Sequence, residues 1–111
     1  MTRHFASMIL LCAAWVLVGC ETPKQYMTRH GEPDLISDET AVHRRMYLPG
    51  DTVQAWRNAT TILYYLETRT QVIFKQGQVR KSAIPEDEIE TLQATRTLLE
   101  AIDADAQHID W

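Results

Sequence analysis

An apolar run from Phe5 to Val18, closed by Gly19 and Cys20, constrains this chain more than any other feature, because it divides what can fold in water from what cannot. Arg3 and His4 precede it, giving the positive start, apolar middle and small-residue end of a secretory signal. The run holds 14 residues, short of the roughly 20 that a transmembrane helix needs. Small Gly19 directly before a cysteine suits the narrow subsite of a peptidase, so cleavage is expected between Gly19 and Cys20. The alternative is an uncleaved signal anchor in which Cys20 is a plain buried thiol.

Leu17, Val18, Gly19 and Cys20 fill in order the four places of a lipobox, an aliphatic residue, a small or aliphatic residue, Gly or Ala, then Cys. The segment thus resembles a bacterial lipoprotein signal. The resemblance implies that the Cys20 thiol receives a diacylglycerol and the freed amine a further acyl chain, with no other cofactor. Buried methylenes contribute about 0.8 kcal/mol each, so several chains anchor a protein far more firmly than one. Such a protein is tethered to its membrane and does not span it. Glu21, in place of the Asp that retains many such proteins in the inner membrane, implies an outer-membrane, periplasm-facing location, or the cell membrane where there is only one.

Removing residues 1–19 from the 111 leaves 92, enough for one small domain with a modest core. The basic count falls from 11 to 10 with the loss of Arg3, against 15 acidic residues, so the net charge is near −5. A nucleic-acid partner needs a concentrated basic surface and is disfavoured. Cys12 leaves with the signal and Cys20 is acylated, so no thiol remains for a disulfide, metal or nucleophile.

The division expected is a signal at 1–19, an acylated tether at 20–24 and a single small α+β domain at 25–111. Thr22 can cap a short helix with Pro23 at its first position, running from Lys24 to His30 and stopped by Gly31. With only Tyr26 and Met27 as substantial apolar residues, that helix is stable only if docked. Leu35 and Ile36 start a strand, and Val42 to Leu48 reads as another, with Val42, Arg44 and Met46 facing one way and His43, Arg45 and Tyr47 the other. Pro49-Gly50-Asp51 is a turn signal.

From Thr52 to Leu66 helical spacing of Val53, Trp56, Thr60 and Leu63 competes with the β-branched and aromatic residues from Thr60 to Tyr65. A strand from about Thr60 to Glu67 is favoured, after an irregular or helical piece. Gln71 to Lys75 and Gln78 to Ile84 flank Gln76-Gly77 as a hairpin, giving a small antiparallel β-meander from Thr60 to Ala83. Pro85 opens a long amphipathic C-terminal helix with acidic Glu86, Asp87 and Glu88 in its first turn. Its stripe of Ile89, Leu92, Leu99 and Ile102, widened by Leu98, is expected to pack on the sheet. The tail from Asp103 to Trp111 is expected to fray.

Gly31-Glu32-Pro33-Asp34 after a short helix, Leu63-Tyr64-Tyr65-Leu66, and Phe74-Lys75-Gln76-Gly77-Gln78-Val79 together resemble the BamE (SmpA/OmlA) family of small outer-membrane lipoproteins. In that family a helix ending in a Gly-x-Pro turn leads into an antiparallel meander with an aromatic strand and an aromatic-x-x-Gly-x-Val strand. The chain departs from the pattern where Thr22-Pro23 opens the helix, where Ile62 or Leu63 replaces a Trp, and in its long helix after Pro85. The resemblance implies a non-catalytic accessory of the machinery that inserts β-barrel proteins.

The residues offer little chemistry. His30, His43 and His108 are far apart, without metal-ligand spacing, and Asp103, Asp105, His108 and Asp110 read as a solvated cluster. With no phosphate loop, nucleophile elbow or cysteine nucleophile, the chain reads as a non-enzyme. His43-Arg44-Arg45 fits either an anionic lipid head group or an edge strand protected by charge. Trp56, Tyr64 and Tyr65 are partner-binding anchors if exposed and core residues if not, and Arg44 and Arg45 join them as candidate contacts.

Two functional classes follow. One is a scaffold or assembly factor binding an envelope protein complex through a sheet edge or exposed aromatics. The other is a lipoprotein binding a small ligand or lipid between helix and sheet, with a pilotin-like escort of a secretion component as a further option.

Overall fold

Thr22 accepts a hydrogen bond from the Gln25 amide while the Gln25 side chain accepts one from the Thr22 amide, a reciprocal capping box that starts the first helix, α1, at Pro23–His30. The computed structural model describes residues 21–107. Signal cleavage at Gly19 and Cys20, acylation of Cys20 and residues 108–111 of the tail lie outside the described residues. Pro23 and Lys24, expected within a tether at 20–24, are already helical, because the cap at Thr22 satisfies the first amides. Gly31 ends α1 at φ 91°, ψ 166° and donates its amide to the Met27 carbonyl at 2.9 Å. That backbone geometry lies in a region open essentially to glycine.

Five antiparallel strands follow: β1 at Leu35–Glu39, β2 at Arg44–Tyr47, β3 at Thr60–Tyr65, β4 at Thr70–Lys75 and β5 at Gln78–Ala83. Their order in one sheet is β2-β1-β3-β4-β5. The expected meander is thus the β3-β4-β5 half of a larger sheet, extended by the hairpin of β1 and β2 docked on β3. Gln76 and Gly77, both at positive φ, make the tight turn between β4 and β5. Residues 52–59 form neither helix nor strand, and this segment carries the chain from edge strand β2 across β1 to β3.

The second helix, α2, spans Glu86–Gln107. It continues through Asp103, where fraying was expected, because no proline or glycine interrupts it and alanines at 101, 104 and 106 favour the helix. Its stripe covers the sheet only in part. Leu92 is buried, and Ile89 and Leu99 pack beside it, whereas Leu98 and Ile102 are 61 % and 55 % exposed. Ten residues beyond Leu92 is about 15 Å along the axis, and there the sheet no longer lies beneath the helix.

The sheet is covered on both faces. On one, Leu35, Ile62, Tyr64 and Ile84 pack with Leu92 of α2. On the other, Ile36, Leu63, Val72 and Phe74 pack with Tyr26 and Met27 of α1. The register Leu35↔Tyr64 and Ile36↔Leu63 assigns neighbouring residues to these opposite faces. Strands covered on both sides lose the simple apolar-polar alternation, which is why the segment around Thr60 to Tyr65 reads ambiguously in the sequence.

Candidate functional site

Asp38 organises the α1 side of the sheet. It is 3 % exposed, a depth at which an ionised carboxylate needs partners. The register Asp38↔Arg45 and Asp38↔Thr61 supplies them from both neighbouring strands. Arg45 donates from Nε at 3.2 Å and Nη2 at 2.9 Å to Oδ2, Tyr47 donates its hydroxyl to the same oxygen at 3.2 Å, and Thr61 donates to Oδ1 at 2.9 Å. Burial pushes the Tyr47 hydroxyl up to about 12, the Asp38 carboxylate and its hydrogen bond add to the rise, and the Arg45 charge opposes it. Such a cluster fixes three strands in register.

Arg45 also faces outward. Its guanidinium carbon lies 4.1 Å from the Trp56 ring centroid and 5.6 Å from that of Tyr47, and Nη2 donates to the Gln54 carbonyl. The His43 ring meets Trp56 edge-on at 6.2 Å between centroids. The irregular 52–59 segment is therefore pinned over β1 and β2 by cation–π contact and one backbone acceptor. Trp56 is half-buried, with one face on Arg45.

Between this segment and α1 lies a groove of about 410 Å³. Ile36 and Leu63 line it from the sheet, Met27 from α1, and Val53, Trp56 and Ala59 from the 52–59 segment; Thr22, Pro23 and Lys24 at the start of α1 also line it. Around the Trp56 rim is a second, more polar depression bordered by His43, Arg45 and Arg57.

The other residues singled out in the sequence are placed as follows. Tyr64 is 1 % exposed beneath α2, which makes it the core residue of the two alternatives the sequence left open; its hydroxyl accepts from Arg44 Nη2 at 3.0 Å. Burial raises its ionisation and the Arg44 charge opposes the rise. Tyr65 faces α1 and donates to the Gly31 carbonyl at 2.9 Å, so its ring packs within the fold and its hydroxyl closes the helix end. Burial, then Tyr26, pushes its hydroxyl up to about 12. Arg44 and Arg45 point to opposite faces, Arg44 pairing with Glu39 at 2.9 Å, so His43-Arg44-Arg45 does not present one basic cluster. Only Trp56 and Arg45 of the five candidates meet at one surface.

No known protein family, curated protein or solved structure matches the chain. Among the described residues no helix is long and apolar enough to cross a membrane, and no three His, Cys, Asp or Glu side chains converge to hold a metal. The sequence reading gave no site role to Asp38, Tyr47, Thr61, Val53 or Ala59. An aspartate inside Leu-Ile-Ser-Asp-Glu was the available signal, since a charge within a strand core demands cross-strand donors.

Proposed function

We propose that the mature protein is a lipid-anchored, periplasm-facing, non-catalytic scaffold or assembly factor that engages an envelope protein complex through the face built by Trp56 and Arg45. The observation that carries this reading is the Arg45–Trp56 stack, 4.1 Å from guanidinium carbon to ring centroid, at the mouth of an apolar groove. Trp and Arg are the residue types that supply most interface energy when rigidly held and rimmed by polar groups. The lipobox supports the anchor, Glu21 supports outer-membrane sorting, and the resemblance to the BamE family supports a partner within the machinery that inserts β-barrel proteins.

A photoreactive amino acid in place of exposed Arg57 tests the face in cells. Crosslinks to a defined envelope protein from position 57, absent from a control at Gln76 in the β4-β5 turn, are the expected result. The same products from both positions, or none from position 57, would overturn the proposed face.

A second reading, binding of a lipid or small apolar ligand, is favoured by the groove itself. The sequence reading put such a site between helix and sheet; the groove lies on the face opposite α2, beside α1 and the 52–59 segment.

A further inference from the structure

We propose that the groove beside α1 seats one acyl chain carried by Cys20. The inference rests on the lipoprotein reading and gives the groove one occupant.

Position comes first. Thr22 and Pro23 line the groove, and Cys20 precedes Thr22 by two residues. Two residues span at most about 7 Å, so the covalent chain cannot carry an acyl group on Cys20 farther than that from Thr22 at the groove. Attachment makes entry intramolecular, with the high effective concentration of a very short linker.

Chemistry comes second. The floor and walls are Ile36, Leu63, Met27, Val53, Ala59 and the free side of Trp56. Asp38, Tyr47 and Thr61, which line the groove on the sheet, are bonded to one another and to Arg45, while the other polar side chains, Thr22 and Lys24, belong to the start of α1. Among the described residues, no buried side-chain nitrogen or oxygen lacks a hydrogen-bond partner. An apolar chain laid on Ile36, Leu63, Met27 and Val53 leaves every one of these bonds intact.

Size comes third. The volume of about 410 Å³ is that of roughly fourteen water molecules at about 30 Å³ each, and a methylene group is of similar size. That is room for most of one chain and not for three. The remaining chains stay available to the membrane.

The energetics set when the groove is filled. A chain in a bilayer is already out of water, so moving it to the groove gains little. Out of the bilayer each exposed methylene costs about 0.8 kcal/mol, and the groove then shelters the chain. The seat is thus occupied while the protein is in aqueous transit or only partly inserted.

The test uses the full chain made in cells fed a fatty acid bearing a diazirine, which lipoprotein acylation installs on Cys20. Intact mass of the product first establishes whether Cys20 is acylated; an unmodified Cys20 overturns the lipoprotein reading, and this inference with it. On the acylated protein released from membranes, irradiation and peptide mapping are expected to link the Cys20 peptide, through its acyl chain, to peptides containing Met27 or Val53–Ala59. Ala59→Trp, which fills the groove, and Ala55→Trp, at an exposed position that narrows its mouth, should each lower those links about tenfold by removing the intramolecular seat. Links spread over exposed residues such as Leu98, links unchanged in both variants, or groove labelling that comes only from free phospholipid would each overturn the inference while leaving the anchor in place.

Discussion

Asp34 and Arg96 lie 2.9 Å apart, carboxylate Oδ1 to guanidinium Nη1, while the other Asp34 oxygen accepts the Leu66 amide at 2.7 Å. One carboxylate thus clasps the entry to β1, the turn after β3 and the middle of α2. The two bonds differ in strength, because the ion pair is partly solvated and the amide bond holds a turn. Arg96→Ala is expected to cost about 0.5 kcal/mol, and Asp34→Ala about 2 kcal/mol because it also orphans an amide. Urea unfolding of both variants measures the difference; equal losses would mean that the clasp acts only through charge.

Removing Asp38 should be the most damaging polar substitution. Asp38→Ala leaves the Arg45 guanidinium and two hydroxyls without their acceptor, at a cost of about 3 kcal/mol. In an Arg45→Met background the further cost of Asp38→Ala should be smaller, because the cation it leaves unpaired is gone. Strict additivity in that double-mutant cycle would argue against a coupled network.

Alkaline pH should unfold the protein through its tyrosines. All four are shifted above the ordinary value of 10.0, Tyr47 and Tyr65 to about 12. Below pH 10 both folded and unfolded chains keep these protons; between 10 and about 12 the unfolded chain loses them first, so stability falls across that window. Phenolate absorbance during a pH titration should rise later for the folded protein than for the urea-unfolded chain, and Tyr65→Phe should soften the loss. Coincident titrations of the two states would refute the prediction.

The two ends of α2 should respond differently to truncation. Leu92→Ala removes a side chain 2 % exposed and should cost about 3 kcal/mol. Ile102→Ala, at 55 % exposure, should change stability by less than about 0.5 kcal/mol. Thermal unfolding of the two variants checks this, and a large loss at Ile102 would reveal a contact that the described residues do not contain.

Cys20→Ala should move the protein from the membrane to the soluble envelope fraction without altering its circular dichroism. Continued membrane retention would contradict the lipid anchor.

Local signals made much of the fold legible. Thr22-Pro23 marked a cap, Gln76-Gly77 a hairpin, and Pro85 with its acidic neighbours a helix start, each acting over a few residues. Strand pairing across the chain was not legible, because the register that sets Asp38 between Arg45 and Thr61 depends on segments 7 and 23 residues away. Tyr64 and Tyr65 are adjacent and look alike in sequence, yet one lies under α2 and the other against α1. The double covering of the sheet also hid the groove, since its floor residues Ile36 and Leu63 read as ordinary core and its wall comes from a segment without a periodic pattern.

The capping of α1 at Thr22, two residues after Cys20, has a mechanical consequence. A pull applied to the chain ahead of Thr22, as the proposed anchor would apply it, enters at the start of an eight-residue helix, not at a strand. Force applied at a helix end peels its contacts one after another, here Tyr26 with its edge-on partners Phe74 and Tyr65, and then Met27. The sheet carries that strain only after α1 has lifted away, because β1 is held between β2 and β3 along its length. The helix is therefore a mechanical fuse, extending under tension before the five strands begin to part.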